Sequence, residues 1–212
     1  MNFLFILLLS YLIGSFPTSI VVGKLFFKKD IREYGSGNAG GTNTVRVFGW
    51  AAGVPVILID IAKGAAAVLW ISQIRIFDTG SADLFSAAAV AFAAGAAAVC
   101  GHIWSVFAVF RGGKGVATAA GMIAALYPIG FGAALIVFAA VVALTGIVSA
   151  ASIAAAVLFP VILLVVDGAG VSQVPPLLLW MSIPIALLIL FTHRKNIGRL
   201  LRGEEKRLFK KK

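Results

Sequence analysis

The sequence predicts an all-α integral membrane protein with seven transmembrane helices, the two middle ones short, its N-terminus outside and its C-terminus inside. Three observations carry this. Of 212 residues, 61% are hydrophobic and 12% charged, and mean hydropathy is +1.04. A soluble domain of that size cannot bury so much apolar side chain, so lipid is the solvent. Apolar runs recur at about the ~20-residue length of a crossing helix, whereas a membrane β-barrel would show short alternating segments. Nine of the 18 Lys and Arg residues fall in 194–212, just past the last apolar run, where the positive-inside rule places cytoplasmic charge. The formal charge of +10 is therefore a sign of membrane orientation and headgroup contact, not of nucleic-acid binding.

The clear apolar segments are 3–27, 51–71, 84–108, 147–166 and 176–192. Residues 2–9 have the character of a signal-peptide core. The run continues to Phe27, however, too long for a cleaved one, and is read as a retained helix. As one helix, 116–145 would rise ~45 Å, well beyond the ~30 Å hydrocarbon core. The stretch YPIGFG at 127–132 places Pro128, Gly130 and Gly132 at its middle and predicts a break into two helices of ~12–15 residues. Charge agrees with two crossings. Lys28, Lys29, Arg32 and Arg46 put the loop 28–50 inside, and loop 72–83, with one Arg and two Asp, falls outside. Arg111 and Lys114 are inside, and two crossings by 116–145 then bring the basic tail 193–212 inside as well. Abundant Ala and Gly allow close helix approach in lipid. Cys100, the single cysteine, is a small core residue and leaves no intrachain disulfide. No internal repeat, soluble domain or long linker is visible, so residues 1–212 read as one polytopic domain, with no obligate protein partner expected.

With that topology the unusual polar residues all fall on the inner side, which predicts a site open to the cytoplasm. The first cluster is GSGNAGGTNTVR at 35–46. Gly35, Gly37 and Gly40 let successive backbone N–H groups converge on an anion. Asn38, Thr42 and Asn43 add side-chain donors, and Arg46 adds a fixed positive fork. In the second cluster, RGGKGVAT at 111–118, Gly112, Gly113 and Gly115 lead into a helix beside the point charge of Lys114, with Thr118 in its first turn. This is not a nucleotide-hydrolysis loop. Ala108 stands where the first glycine of that motif would be, and Gly115 stands where Ser or Thr would follow the lysine. In the third cluster, His193, Asn196 and Arg199 repeat at i, i+3, i+6 and share one helix face. Asp60 and Lys63 are spaced to pair inside the second helix, where a structural and a functional role are both open. No His, Cys, Asp and Glu set stands at metal-ligand spacing, and neither metal nor cofactor is expected.

These stretches resemble one family. GSGNAGGTN followed by Arg46, IDIAKG at 59–64, GHIWSVFAVFRGGKGVAT at 101–118 and HRKNIGRLLRGEE at 193–205 are similar, in order, to the bacterial acyl-phosphate:glycerol-3-phosphate acyltransferases, the PlsY family. The resemblance spans 14–205 and implies a seven-helix enzyme of the inner membrane. Such an enzyme transfers a fatty acyl group from acyl phosphate to the sn-1 hydroxyl of glycerol 3-phosphate, giving lysophosphatidic acid and phosphate in phospholipid biosynthesis. It implies Ser36, Arg46, Lys114, His193 and Asn196 around glycerol 3-phosphate. It also implies that 35–43 and 112–115 hold the donor's phosphate and the developing oxyanion. For His102 it leaves two roles, orienting the loop or assisting proton transfer. The His-x-x-x-x-Asp pair of the other acyltransferase class is absent, since Phe107 and Gly198 stand five residues after the histidines. No carboxylate is placed by sequence to orient a triad, which predicts direct transfer without an acyl-enzyme. The family's proline in G-H-x-x-P is Ser105 here, expected to loosen the turn before Phe107. A transporter of a phosphorylated metabolite is the rival reading. It explains Asp60 and Lys63, but not polar motifs confined to one side without a repeat.

Overall fold

The computed structural model describes residues 2–76 and 85–208; most of the expected outer loop 72–83 and the last four tail residues lie outside them. Every regular element among the described residues is helical. The chain forms two compact units, one ending at Leu126 and one beginning at Tyr127.

In the first unit the apolar run 3–27 is two helices, α1 (Asn2–Ser15) and α2 (Thr18–Phe27). Pro17 separates them, because it has no N–H to continue the ladder and crowds the preceding turn. Its own carbonyl starts α2, accepting from the amides of Ile20 and Val21 at 3.0 Å each. A short helix that the sequence reading treated as loop, α3 (Gly41–Phe48), precedes α4 (Trp50–Leu69). The 20 residues of α4 rise about 30 Å, the hydrocarbon thickness. Exposed Trp50 and Trp70 mark its two ends, as interfacial aromatics do. Helices α5 (Ala87–Ile103) and α6 (Val116–Leu126) complete the unit. Helix α1 packs on α5, and α4 on α6. Both crossings depend on missing side chains. A Cβ on Gly14 would run into the Ala98 carbonyl, and one on Gly64 into that of Thr118. Ile6, Ala67, Val90, Ala94 and Ala98 fill the space between α1, α4 and α5.

The second unit contains α7 (Pro128–Thr145), α8 (Val148–Gly168), α9 (Pro176–Thr192) and α10 (Arg194–Leu201). Helix α8 packs between α7 and α9, and α10 turns away from α9 by 65° at His193. The chain after α10 returns to the start of α8, where the Leu208 amide reaches the Gly146 carbonyl at 2.7 Å.

The expected break in 116–145 sits at Tyr127, with Pro128 in the first turn of α7, where a missing N–H costs nothing. Only the first of the two helices is short. Helix α6 has 11 residues, but α7 has 18, because Gly130 and Gly132 continue its ladder instead of widening the break. By length and apolarity, Asn2–Phe27, Trp50–Gln73, Ala87–Ala108, Pro128–Thr145 and Val148–Gly168 can each cross a membrane, and α9 with α10 forms a further, bent candidate.

Candidate active site

The loop between α2 and α3 is built around two polar side chains. Asp30 caps the single 3-10 turn Ile31–Glu33, accepting from the Arg32 amide at 3.0 Å. The Arg32 guanidinium grips the same carboxylate through Nε at 3.0 Å and Nη2 at 2.7 Å. Those hydrogen bonds outweigh the opposing effect of burial and lower the Asp30 pKa to about 2. Nη1 of Arg32 reaches across to the Ala108 carbonyl at 3.0 Å, which ties this loop to the one after α5.

Asn43 is the second. Its Oδ1 accepts from the Ser36 amide at 2.8 Å, and its Nδ2 faces the carbonyls of Ile31, Tyr34 and Asn38 at 3.2, 3.0 and 3.1 Å. The loop can wrap so tightly because Gly35 and Gly37 have φ of +64° and +71°, conformations that cost L side chains energy. Asn43 is buried at 2% exposure, so the side chain expected to donate to a ligand holds the loop instead. Ser36, Asn38, Gly40, Thr42 and Arg46 are half-buried around it. Helix α3 opens at Gly41, so its first amides have no acceptor within the helix.

After α5 the chain makes a second tight turn. Ser105 caps the 3-10 turn Val106–Ala108 through the Ala108 amide at 3.2 Å, and its hydroxyl donates to the Ser15 carbonyl. Its φ is −64°, a value proline would also take. Serine therefore fits the backbone of the turn and adds a tie to α1, and the expected loosening is not seen. The Gly112 and Gly113 amides, expected to face an anion, instead donate back to the carbonyls of Ile103 and His102 at 3.1 and 3.0 Å. What these two glycines contribute is closeness, since a Cβ on Gly112 would strike the His102 carbonyl and one on Gly113 the His102 ring. Lys114 follows, half-buried. Gly115 takes φ +85° to enter α6, and Thr118 is fully buried, its hydroxyl without a hydrogen-bond partner among the described residues.

The two loops meet at a pocket lined by Phe16, Pro17, Thr18, Ala39, His102, Ser105, Gly112 and Gly113. Behind it, Asp60 Oδ1 accepts from Lys63 Nζ at 2.8 Å and Thr18 Oγ1 at 3.0 Å, and lies 3.6 Å from His102 Nδ1. Lys63 also donates to the Phe16 carbonyl at 3.1 Å, an acceptor it shares with the Thr18 amide at 3.0 Å.

In the second unit, His193 sits at the α9–α10 bend with Nδ1 2.8 Å from the Ile189 carbonyl. That acceptor puts the proton on Nδ1 in the neutral ring. Asn196 Nδ2, Arg199 Nε and Ser149 Oγ donate to the Glu205 carboxylate at 2.7, 2.6 and 2.9 Å. Burial pushes the Glu205 pKa up, but the hydrogen bonds from Arg199, Asn196 and Ser149 outweigh it and hold the carboxyl below its ordinary value.

A profile of the family described as glycerol-3-phosphate acyltransferase matches residues 4–203. The chain belongs to that family. Curated acyltransferases from Chlorobium luteolum and Chlorobaculum tepidum are 43% and 44% identical to it, each alignment covering 98% of this chain and 97% of the relative. A crystal structure of PlsY, an integral membrane glycerol 3-phosphate acyltransferase in its glycerol 3-phosphate form, superposes with TM-score 0.82 at 34% identity, covering 98% of this chain and 96% of that one. The lysophosphatidic acid form superposes at 0.79.

In this acyltransferase the residues singled out from sequence fall into two groups. Ser36, Arg46, His102, Lys114 and the glycines between them belong to the first unit, and His193 and Asn196 to the second. Three contributors went unrecognised. In the sequence Arg32 stands out only as topological charge, Ser105 only as a departure from the family pattern, and Glu205 only as the last residue of the stretch 193–205 that resembles the family. The caps at Asp30 and Ser105 did leave a signal, each standing directly before a short turn.

Proposed function

We propose that the protein transfers a fatty acyl group from acyl phosphate to the sn-1 hydroxyl of glycerol 3-phosphate. The observation that carries this is the meeting of the two glycine turns at one pocket, with Lys114 beside it and Arg46 on α3 following the first turn. Both substrates carry phosphate, which accounts for the first glycine turn and for the cations Arg46 and Lys114. The apolar tail of the donor accounts for a site at the membrane surface.

The acceptor hydroxyl oxygen attacks the acyl carbonyl carbon. The bond from that carbon to the phosphate oxygen breaks, and inorganic phosphate leaves. The hydroxyl proton goes to a histidine or to a substrate phosphate, whose second pKa of about 6 lets it accept one. The mixed anhydride already has a good leaving group, so positioning and charge stabilisation supply most of the catalysis. Ser36, Arg46 and Lys114 of the first unit bind glycerol 3-phosphate in this reading, and the family resemblance assigns His193 and Asn196 of the second unit to the same substrate. The turn at 35–43 and the N-terminus of α3 hold the donor's phosphate, and Gly112 and Gly113 permit close approach. Glu205 and Asn43 keep Asn196 and the first turn in place.

The same reading sets the chain in the bacterial inner membrane as one polytopic domain, N-terminus out, C-terminus in, with the site facing the cytoplasm. The five long spans together with α6 and α9 support seven crossings, and the even run of basic loops on one side supports the orientation. Purified protein in detergent tests the activity. Phosphate should be released from acyl phosphate only when glycerol 3-phosphate is present. Absence of release together with uptake of a phosphorylated metabolite into liposomes would favour a transporter.

A further inference from the structure

Asp60 lies midway along α4, 2% exposed, and its Oδ1 gathers groups from three segments: Lys63 of its own helix, Thr18 at the start of α2 and His102 near the end of α5. Lys63 alone would satisfy a structural ion pair. Buried pairs of this kind are often no more stable than apolar replacements, so stability does not account for the convergence. His102 does.

The Asp60 carboxylate lies 3.6 Å from His102 Nδ1, where its charge favours a proton on that nitrogen, and the opposite edge, Nε2, is directed at Gly113, where a Cβ would collide with it. The main chain of His102 grips the same glycine, its carbonyl accepting from the Gly113 amide at 3.0 Å. Gly113 is thus held from two sides by one residue, and Lys114 is next in the chain. The other charged group facing His102 in this cluster is Lys63, on the far side of Asp60.

We propose that Asp60 is a positioning residue for the acyl transfer, acting through the His102 imidazole to set Gly113 and hence the lysine-bearing turn against substrate phosphate. This rests on the proposed function, in which that turn faces phosphate. It gives the intramembrane Asp60–Lys63 pair a role that a purely structural pair does not have. Its effect passes through His102 and vanishes when His102 is gone.

A double-mutant cycle on the detergent-purified protein tests this, read by phosphate release from acyl phosphate in the presence of glycerol 3-phosphate. Removing Asp60 alone leaves Lys63 buried without its counter-charge, so the perturbation is the neutral pair Asp60→Asn with Lys63→Met. In the wild-type background this pair should lower kcat/KM by about tenfold, and in a His102→Ala background by less than about twofold. The 15N resonances of His102 should show the proton on Nδ1 in the wild type and lose that preference with Asp60→Asn. Equal losses in both backgrounds, no loss in either, full activity of His102→Ala, or an unchanged imidazole signature would each overturn the inference while leaving an active wild type and the functional reading intact. A wild type that releases no phosphate would overturn the functional reading, and this inference with it.

Discussion

Asn43 Oδ1 accepts the Ser36 amide at 2.8 Å, and the other end of the same side chain holds three carbonyls of the loop. One buried amide therefore sets the shape of the glycine turn and the position of Ser36.

Asn43→Ala should leave a buried donor and several acceptors unmatched, at about 1–3 kcal/mol each for those that water cannot reach. Activity should fall by more than the loss of stability explains, because Ser36 is displaced as well. Asn43→Asp should be no rescue, since it retains the acceptor for Ser36 but directs a carboxylate oxygen at three carbonyls. Thermal unfolding in detergent and phosphate release, measured on the same preparations, check both.

Glu205 gives a pH dependence with a defined sign. Its folded pKa is depressed, so its contribution to stability is complete above the ordinary glutamate value of about 4.3 and is lost as pH falls through the lower folded value. Thermal unfolding of the wild type should therefore drop on the acid side. Glu205→Gln should be less stable at neutral pH and lose much of that acid-side drop. An identical pH profile for both proteins would contradict the carboxylate's role.

Helix crossings read from hypothetical side chains separate two kinds of glycine. At Gly64 a side chain meets the Thr118 backbone, whereas at Gly95 it meets the flexible Met122 side chain. Gly64→Leu should therefore force α4 and α6 apart, costing at least the ~1–3 kcal/mol usual for overpacking and abolishing activity. Gly95→Ala should be accommodated, because methionine adapts to new volume. Unfolding temperatures of the two variants test the contrast.

The orientation has its own test. A reporter fused after Lys212 should be active on the cytoplasmic side. Activity only in the periplasm would contradict the inward C-terminus.

What the sequence made legible follows from the range of the forces involved. Lipid-length apolar runs, the Pro128 break and the clustering of basic residues after the last apolar run are local or additive, and all can be read along the chain. The break at Pro17 was hidden because the apolar run continues through it. Helix α3 was hidden because its first four residues, Gly41, Thr42, Asn43 and Thr44, also suit a loop. The Asp60–His102 contact joins residues of two helices far apart in sequence, and only packing brings them together. The same holds for Asn196 and Glu205, linked by the return of the chain after α10. Gly112 and Gly113 show the limit of composition as a guide. Their composition predicts bare amides facing an anion, but packing turns both amides back onto the carbonyls at the end of α5.

The central claim is that the first glycine turn, Arg46 and Lys114 hold phosphate while an acyl group moves directly to glycerol 3-phosphate. The most direct measurement is phosphate release from acyl phosphate by detergent-purified wild type, Arg46→Ala and Lys114→Ala, with and without glycerol 3-phosphate. The account predicts acceptor-dependent release by the wild type and a loss of at least about 100-fold in kcat/KM for each variant, the scale for removing one preorganised donor to developing charge. Full activity of both variants would contradict it, as would release that ignores glycerol 3-phosphate.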